Sequence, residues 1–285
     1  MAIKLSTAVS VVKAPFEVSH AQHVMMVGSC FTDAIGLRLQ QGGFDVLRNP
    51  FGTLYNPLSI ADSLRRIDTC QEVLEDDLVQ CDGLWHSWYH HTRFSNSDKR
   101  QCIDVCNDAL REAYAFWQQC DTVVLTLGTA YAYFLVDSQR VVANCHKLPA
   151  ACFLRQLLSV DSCVEALRSL PLKGRKLVLT VSPIRHLADT AHGNQISKAT
   201  LLLAVNEYLQ SSESSVTYFP AYEIMQDELR DYRFYDRDML HPNDVAVDII
   251  YERFQDMFCD DSTRRLLLEN EKRWRHSQHR PITNQ

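Results

Sequence analysis

Thr122-Val-Val-Leu-Thr-Leu-Gly128 and Lys176-Leu-Val-Leu-Thr-Val-Ser182 decide the fold of this chain. Both are continuous apolar or β-branched runs without the apolar–polar alternation of a strand that faces water on one side. Burial on both faces is how the central strands of a parallel sheet read. Three further runs read as strands: His23–Gly28, Phe44–Arg48 and Val216–Pro220. Helical periodicity fills the gaps. Phe31–Gln41 stops at Gly42-Gly43, a helix-stop signal, and Ile60–Ile67, Asp104–Gln119, Cys152–Ser169 and Ser197–Gln210 follow. Tyr222–Asp231, Asp244–Phe258 and Ser262–Arg275 close the chain. Strands that alternate with helices predict an α/β class fold: a three-layer α/β/α sandwich around a mainly parallel five-stranded sheet.

Two segments interrupt the alternation. Residues 78–95, with Gly83-Leu-Trp-His-Ser-Trp-Tyr-His-His-Thr-Arg-Phe94, alternate polar and aromatic residues and read as a hairpin. Residues 132–146 read as a second hairpin around Asp137-Ser138-Gln139. No repeat or Pro/Gly/Ser linker divides the chain, so residues 1–285 are expected to form a single domain with two hairpin-like insertions.

Of the 285 residues, 46% are hydrophobic, enough for a sizeable core. The formal net charge is −6, which argues against nucleic acid as a partner, because phosphate neutralisation needs a basic stripe. No stretch approaches the roughly 18 apolar residues of a membrane span, and Met1–Ser10 does not read as a signal peptide. A cytoplasmic location is the expectation. The ten cysteines include no CxxC pair, and they read as reduced, mostly buried thiols. His86, His90 and His91 invite a metal reading, but no Cys or carboxylate stands near them at ligand spacing. No metal and no cofactor are expected. Trp85, Trp88 and Tyr89 suggest a lid or sugar-stacking wall instead.

Ligands of open α/β sheets bind beyond the carboxyl ends of the strands. Each predicted strand here ends in glycine or polar residues: Gly28-Ser29, then Gly52, Gly128-Thr129 and Ser182-Pro-Ile-Arg-His186. Asp238 and His241 follow the last strand and its helix. A serine at a strand end needs a base, and the base needs an orienting acid. Ser29 at a helix N-terminus is therefore the candidate nucleophile, with His241 as base and Asp238 as the acid that fixes its tautomer. Asp236 is an equally near carboxylate. The backbone N–H groups of Ser29 and Gly52 are candidate oxyanion donors. Cys30 is a rival nucleophile, because a thiol at a helix N-terminus beside a histidine would have a depressed pKa. Arg185, His186 and Lys147 are candidates for holding an anionic or sugar substrate.

These residues resemble a known family. Gly28-Ser29-Cys30-Phe31, Asn49-Pro-Phe-Gly-Thr-Leu-Tyr-Asn56, Gly128-Thr129, Asn144-Cys-His-Lys147, Ser182-Pro-Ile-Arg-His186, Ser197-Lys-Ala199 and Asp238-Met-Leu-His-Pro242 look like the GSCFA domain family. That family is similar to the SGNH (GDSL-like) hydrolases, so the resemblance implies a flavodoxin-like sandwich. It also implies Ser29 as nucleophile, Gly52 as oxyanion donor and Asp238/His241 as the base pair. One departure stands out: the SGNH pattern has an asparagine as third oxyanion donor where this chain has Ala130. Asn56, Asn144 or the Thr129 hydroxyl would have to replace it, and Asn56 is favoured. Gly128, Asn144, His146, Lys147, Arg185, His186 and Trp88 are the expected substrate-binding residues. The resulting expectation is a serine esterase-like hydrolase acting on a small-molecule or carbohydrate ester, such as an O-acetyl group on a carbohydrate or cell-wall precursor. A ligand-binding protein on the same fold and an acyltransferase using the same site are the alternatives. The oligomeric state is left open.

Overall fold

The computed structural model describes residues 7–212 and 214–278. Strand β1 (His23–Gly28) leads directly into helix α1 (Cys30–Gln41), and β2 (Asp45–Arg48) and α2 (Pro57–Thr69) follow. A hairpin, β3 (Leu78–Cys81) and β4 (Leu84–Ser87), precedes α3 (Lys99–Trp117) and β5 (Thr122–Leu127). Next come β6 (Tyr131–Leu135), β7 (Val141–Val142), β8 (Phe153–Leu157) and α4 (Val160–Arg168). The chain continues through β9 (Lys176–Val181), α5 (Thr190–Gln210) and β10 (Val216–Tyr218). A short α6 (Ala221–Glu223) runs on as a π turn, and α7 (Asp244–Phe258) and α8 (Asp261–Gln278) complete the described fold.

The central sheet has the order β10-β9-β5-β1-β2, and every pair in it is parallel. Numbered among themselves, the five strands run 2-1-3-4-5, the flavodoxin-like order. Period-2 alternation sorts its side chains between two cores. Met25, Val27, Val123, Leu125, Leu177 and Leu179 pack under α2, α3, α4 and α5. Val24, Met26, Val124 and Val178 pack under α1, α7 and α8. β5 is buried along its whole length, which its uninterrupted apolar run requires. Burying each such Val or Leu contributes about 1.5–3 kcal/mol.

The predicted hairpin at residues 78–95 is present, turning at Asp82-Gly83, where both residues have positive φ. Two other expectations need correction. Residues 153–157 are strand β8, not the start of a helix over Cys152–Ser169; the helix begins only at Val160. The expected hairpin within residues 132–146 is present as the antiparallel pair β6–β7, and β8 adds to the other edge of β6, so the second excursion is a three-stranded sheet. The fifth helix also starts earlier than its apolar periodicity suggests, at Thr190, because polar side chains continue its buried stripe.

Candidate active site

In a 2-1-3-4-5 sheet the strand order reverses between the first and third strands, and the crevice at that switch point is where ligands bind. Here those strands are β1 and β5. A cavity of about 490 Å³ opens there, and Cys30, Thr129, Tyr55, His186 and His241 are among its lining residues. Tyr131, Tyr133 and Arg155 from the three-stranded sheet wall it on one side.

At the exit of β1 the chain makes a sharp turn. Gly28 has φ +149°, and a Cβ built on it would lie 2.2 Å from the Thr126 carbonyl oxygen. The tight turn leaves Ser29 as the extended N-cap of α1, fully buried, with no capping hydrogen bond from its side chain. Its Oγ instead donates to Ser182 Oγ at 3.0 Å, and its N–H donates to the Thr126 carbonyl. Ser29 does not line the cavity. The next residue does. Cys30 Sγ lies 3.6 Å from His241 Nε2, and His241 Nδ1 lies 2.5 Å from Asp238 Oδ2. The structure therefore brings His241 to the cysteine and not to the serine. One residue of advance into a helix turns the side-chain direction by about 100°, and that turn separates the two candidates.

The base is well organised. Hydrogen bonds from the backbone N–H groups of His241 and Leu240, and then the imidazole itself, pull the Asp238 carboxyl down to about 2. The Asp236 carboxylate is turned elsewhere, its Oδ1 accepting from the Arg237 N–H, while its backbone N–H donates to His241 O. Arg185 secures the loop, its backbone N–H donating to Leu240 O and its guanidinium to Met239 O. Met239 has φ +60°, a strained conformation for a side-chain-bearing residue.

Burial pushes the Cys30 thiol up, and this outweighs the backbone N–H groups of Cys30 and Phe31, which favour the thiolate. The depressed pKa expected from the helix terminus is thus not found: desolvation wins. The arrangement is a thiol beside an imidazole.

Several expected roles change. The Gly52 N–H donates to Asn49 O at 2.8 Å, and the glycine packs on His91 outside the cavity, so it is not an oxyanion donor here. The Ser29 N–H is likewise already committed. Asn56 lines the cavity, but its side chain caps α2, accepting from the Ser59 N–H and donating to Ser59 Oγ. Thr129 Oγ1 pairs with Ser197 Oγ and accepts from the Tyr131 N–H. Ala130 is fully buried, its N–H satisfied by Ser197 Oγ. The backbone N–H groups of Cys30 and Phe31, in the first turn of α1, lie beside the Cys30 sulfur.

Of the expected substrate-binding residues, Asn144, Arg185 and His186 line the cavity. Gly128 lies against Tyr55, Lys147 is exposed, and neither lines it. Trp88 and His146 are buried behind the wall. The Trp88 carbonyl accepts from the Ala143 N–H and His146 Nε2 bonds Ser87 O, so both support the wall from outside. Trp88 is no stacking lid. His86 stacks on His146 with ring centroids 4.5 Å apart. Among the described residues, no group of three or more His, Cys, Asp or Glu is placed to hold a metal ion, and no helix is long and apolar enough to cross a membrane. Sequence reasoning missed Tyr131, Tyr133 and Arg155, which reach the cavity only because β6 and β8 pair.

A carbohydrate esterase family 3 structure from Talaromyces cellulolyticus is 11% identical, with a TM-score of 0.42 over 87% of this chain and 99% of that one. A carbohydrate esterase family 2 enzyme with its carbohydrate-binding domain, from Corynascus thermopiles (Myceliophthora fergusii), is 14% identical, with a TM-score of 0.40 over 87% of this chain and 67% of that one. Likeness at this level carries no argument about chemistry. No curated protein matches the sequence. The family model for GSCFA matches residues 23–254, most of the length and all of the central sheet, and the chain belongs to the GSCFA family.

Proposed function

We propose that this protein is an acyl-group hydrolase whose nucleophile is Cys30, with His241 as its base and Asp238 as the orienting acid. The observation that carries this reading is the 3.6 Å approach of Cys30 Sγ to His241 Nε2 at the mouth of the cavity, with Asp238 on the far nitrogen of the ring. The sulfur attacks the carbonyl carbon of an ester, and its proton passes to His241 Nε2. The Asp238 carboxylate stabilises the imidazolium, and the N–H groups of Cys30 and Phe31 receive the oxyanion. Collapse expels the alcohol, protonated by His241, and leaves a thioester on Cys30. Water activated by the same imidazole then releases the acid. An acceptor hydroxyl in place of water would make the same site a transferase.

The cavity suits a small acyl group. Arg155 pairs with Asp189, whereas Arg185 donates to Met239 O, lies 4.4 Å from the centre of the Tyr235 ring and has no carboxylate partner among the described residues. Burial holds His186 down at about 4, so its ring is neutral near pH 7. Tyrosine, aliphatic and amide surface remains, which suits an acetyl or similar small ester on a carbohydrate or other small molecule.

The test is acylation by p-nitrophenyl acetate, with the labelled peptide identified by mass spectrometry. The expected result is an acetyl group on Cys30 that neutral hydroxylamine removes. Ser29→Ala should retain this label, Cys30→Ala should lose it, and His241→Ala should form it roughly 10²–10⁴-fold more slowly. Acetylation of Ser29, or labelling indifferent to Cys30 and His241, would overturn the assignment.

A further inference from the structure

Arg185 stands where two cavities meet. It lines the active-site cavity and also a second cavity of about 380 Å³, whose other walls include Tyr222, Tyr232, Tyr235 and Gln195. Its guanidinium donates to Met239 O and lies 4.4 Å and 5.4 Å from the centres of the Tyr235 and Tyr232 rings. Its Nε is shut off from solvent without a hydrogen-bond partner, and no carboxylate pairs with it among the described residues. The next residue, His186, lines the active-site cavity with a buried Nε2 that also lacks a partner. A buried donor left unpaired is costly. Tying the loop to Met239 O needs only one neutral donor, so a cation exceeds what that tie requires.

We propose that Arg185 is the specificity determinant for the alcohol half of the substrate, and that this half carries a carboxylate or phosphate group that the guanidinium receives. The inference rests on the Cys30 hydrolase reading, which sets the direction of the substrate. His241 protonates the leaving oxygen, so the alcohol departs on the His241 side. Arg185 is fixed to that side: its backbone N–H donates to Leu240 O and its side chain to Met239 O, the two residues before His241. A guanidinium receives carboxylate or phosphate oxygens through charge-assisted hydrogen bonds, with a geometry that a neutral hydroxyl does not match. The other cation and the carboxylate lining the active-site cavity, Arg155 and Asp189, pair with each other, which leaves Arg185 as the free positive charge there. Asp227 and Asp231 line the second cavity and repel an anion from it, so the charged group stops at Arg185.

The experiment measures kcat/KM for p-acetoxybenzoate, its neutral methyl ester and p-acetoxyphenyl phosphate, in the intact parent chain and in Arg185→Gln, whose amide can still donate to Met239 O. The ratio of each anionic ester to the neutral one should fall roughly 10–100-fold in Arg185→Gln, mainly through KM. Any slowing from a looser His241 loop is common to the three esters and cancels in the ratio. The order of the two anionic esters in the parent tells carboxylate from phosphate. The same ratio in a folded Arg185→Gln protein would overturn the proposal. Should that variant fail to fold, the parent decides: its anionic-to-neutral ratio should fall in about 1 M sodium chloride, and a ratio indifferent to salt would refute the charge. If no ester acetylates Cys30, the hydrolase reading falls and binding tests this one by itself. Calorimetry should then show p-hydroxybenzoate bound more tightly by the parent than by Arg185→Gln, with its methyl ester bound alike by both; equal affinities for the anion would sink this inference too.

Discussion

Acid should unfold this protein through the histidines behind its active-site wall. His90 and His146 are 1% and 3% exposed, and each has one ring nitrogen without a hydrogen-bond partner. Burial is the main cause holding His90 down at about 3 and His146 at about 4, against an ordinary value of 6.5. Arg66, Arg93 and His146 add to the effect on His90, and His86 and His91 to that on His146. The unfolded chain binds a proton at each of these positions below pH 6.5, and the folded chain does not. Stability is therefore complete above pH 6.5 and falls as the pH drops toward 4 and then 3. At pH 5 each folded ring is still neutral, so each costs about 1.36 kcal/mol per pH unit below 6.5, or about 2 kcal/mol. The pair together removes about 4 kcal/mol between pH 7 and pH 5, a large share of the 5–15 kcal/mol that holds a typical domain. Urea denaturation at the two pH values measures it. His90→Phe, placed between Phe51 and Phe94, should lessen the fall by about 2 kcal/mol. Equal stability at pH 7 and pH 5, or the same fall in His90→Phe, would refute the reasoning.

Two further changes test how the site is positioned. Gly28→Ala drives a Cβ into the Thr126 carbonyl at a φ of +149°, and it should cost about 3 kcal/mol or more in a thermal or urea melt; a melt within 1 kcal/mol of the parent would mean that the β1 exit relaxes freely. Arg185→Ala removes the guanidinium from Met239 O and frees the His241 loop. It should slow Cys30 acetylation roughly tenfold or more while the melting temperature changes little, and an unchanged acetylation rate would show that the loop holds itself.

The sequence by itself determined the central sheet. The runs at Thr122–Leu127 and Lys176–Val181 have no water-facing side, and a strand with two apolar faces can rest only inside a layered α/β fold. The Asp238–His241 pairing was also legible, because a three-residue separation within one tight loop leaves the carboxylate few places to go. Residues 153–157 were not legible as strand β8: Leu154–Leu157 are exposed, so no burial pattern marks them, and their conformation comes from pairing with β6. Lys198 stood out only within the family motif Ser197-Lys-Ala199, and its burial was not legible for the opposite reason. It is a polar residue on a buried stripe, and its partners are the backbone carbonyls of Gly128 and Ser182, just past two strand ends 70 and 16 residues away. Which of Ser29 and Cys30 lies beside His241 was decided by the tertiary structure alone. The sequence favours Ser29 and keeps Cys30 as a rival, because adjacent residues at a strand–helix junction cannot be told apart by direction until the turn is fixed. The close packing of Gly28 on β5 fixes the direction of the first helical turn, which buries the hydroxyl against Ser182 and turns the thiol toward His241.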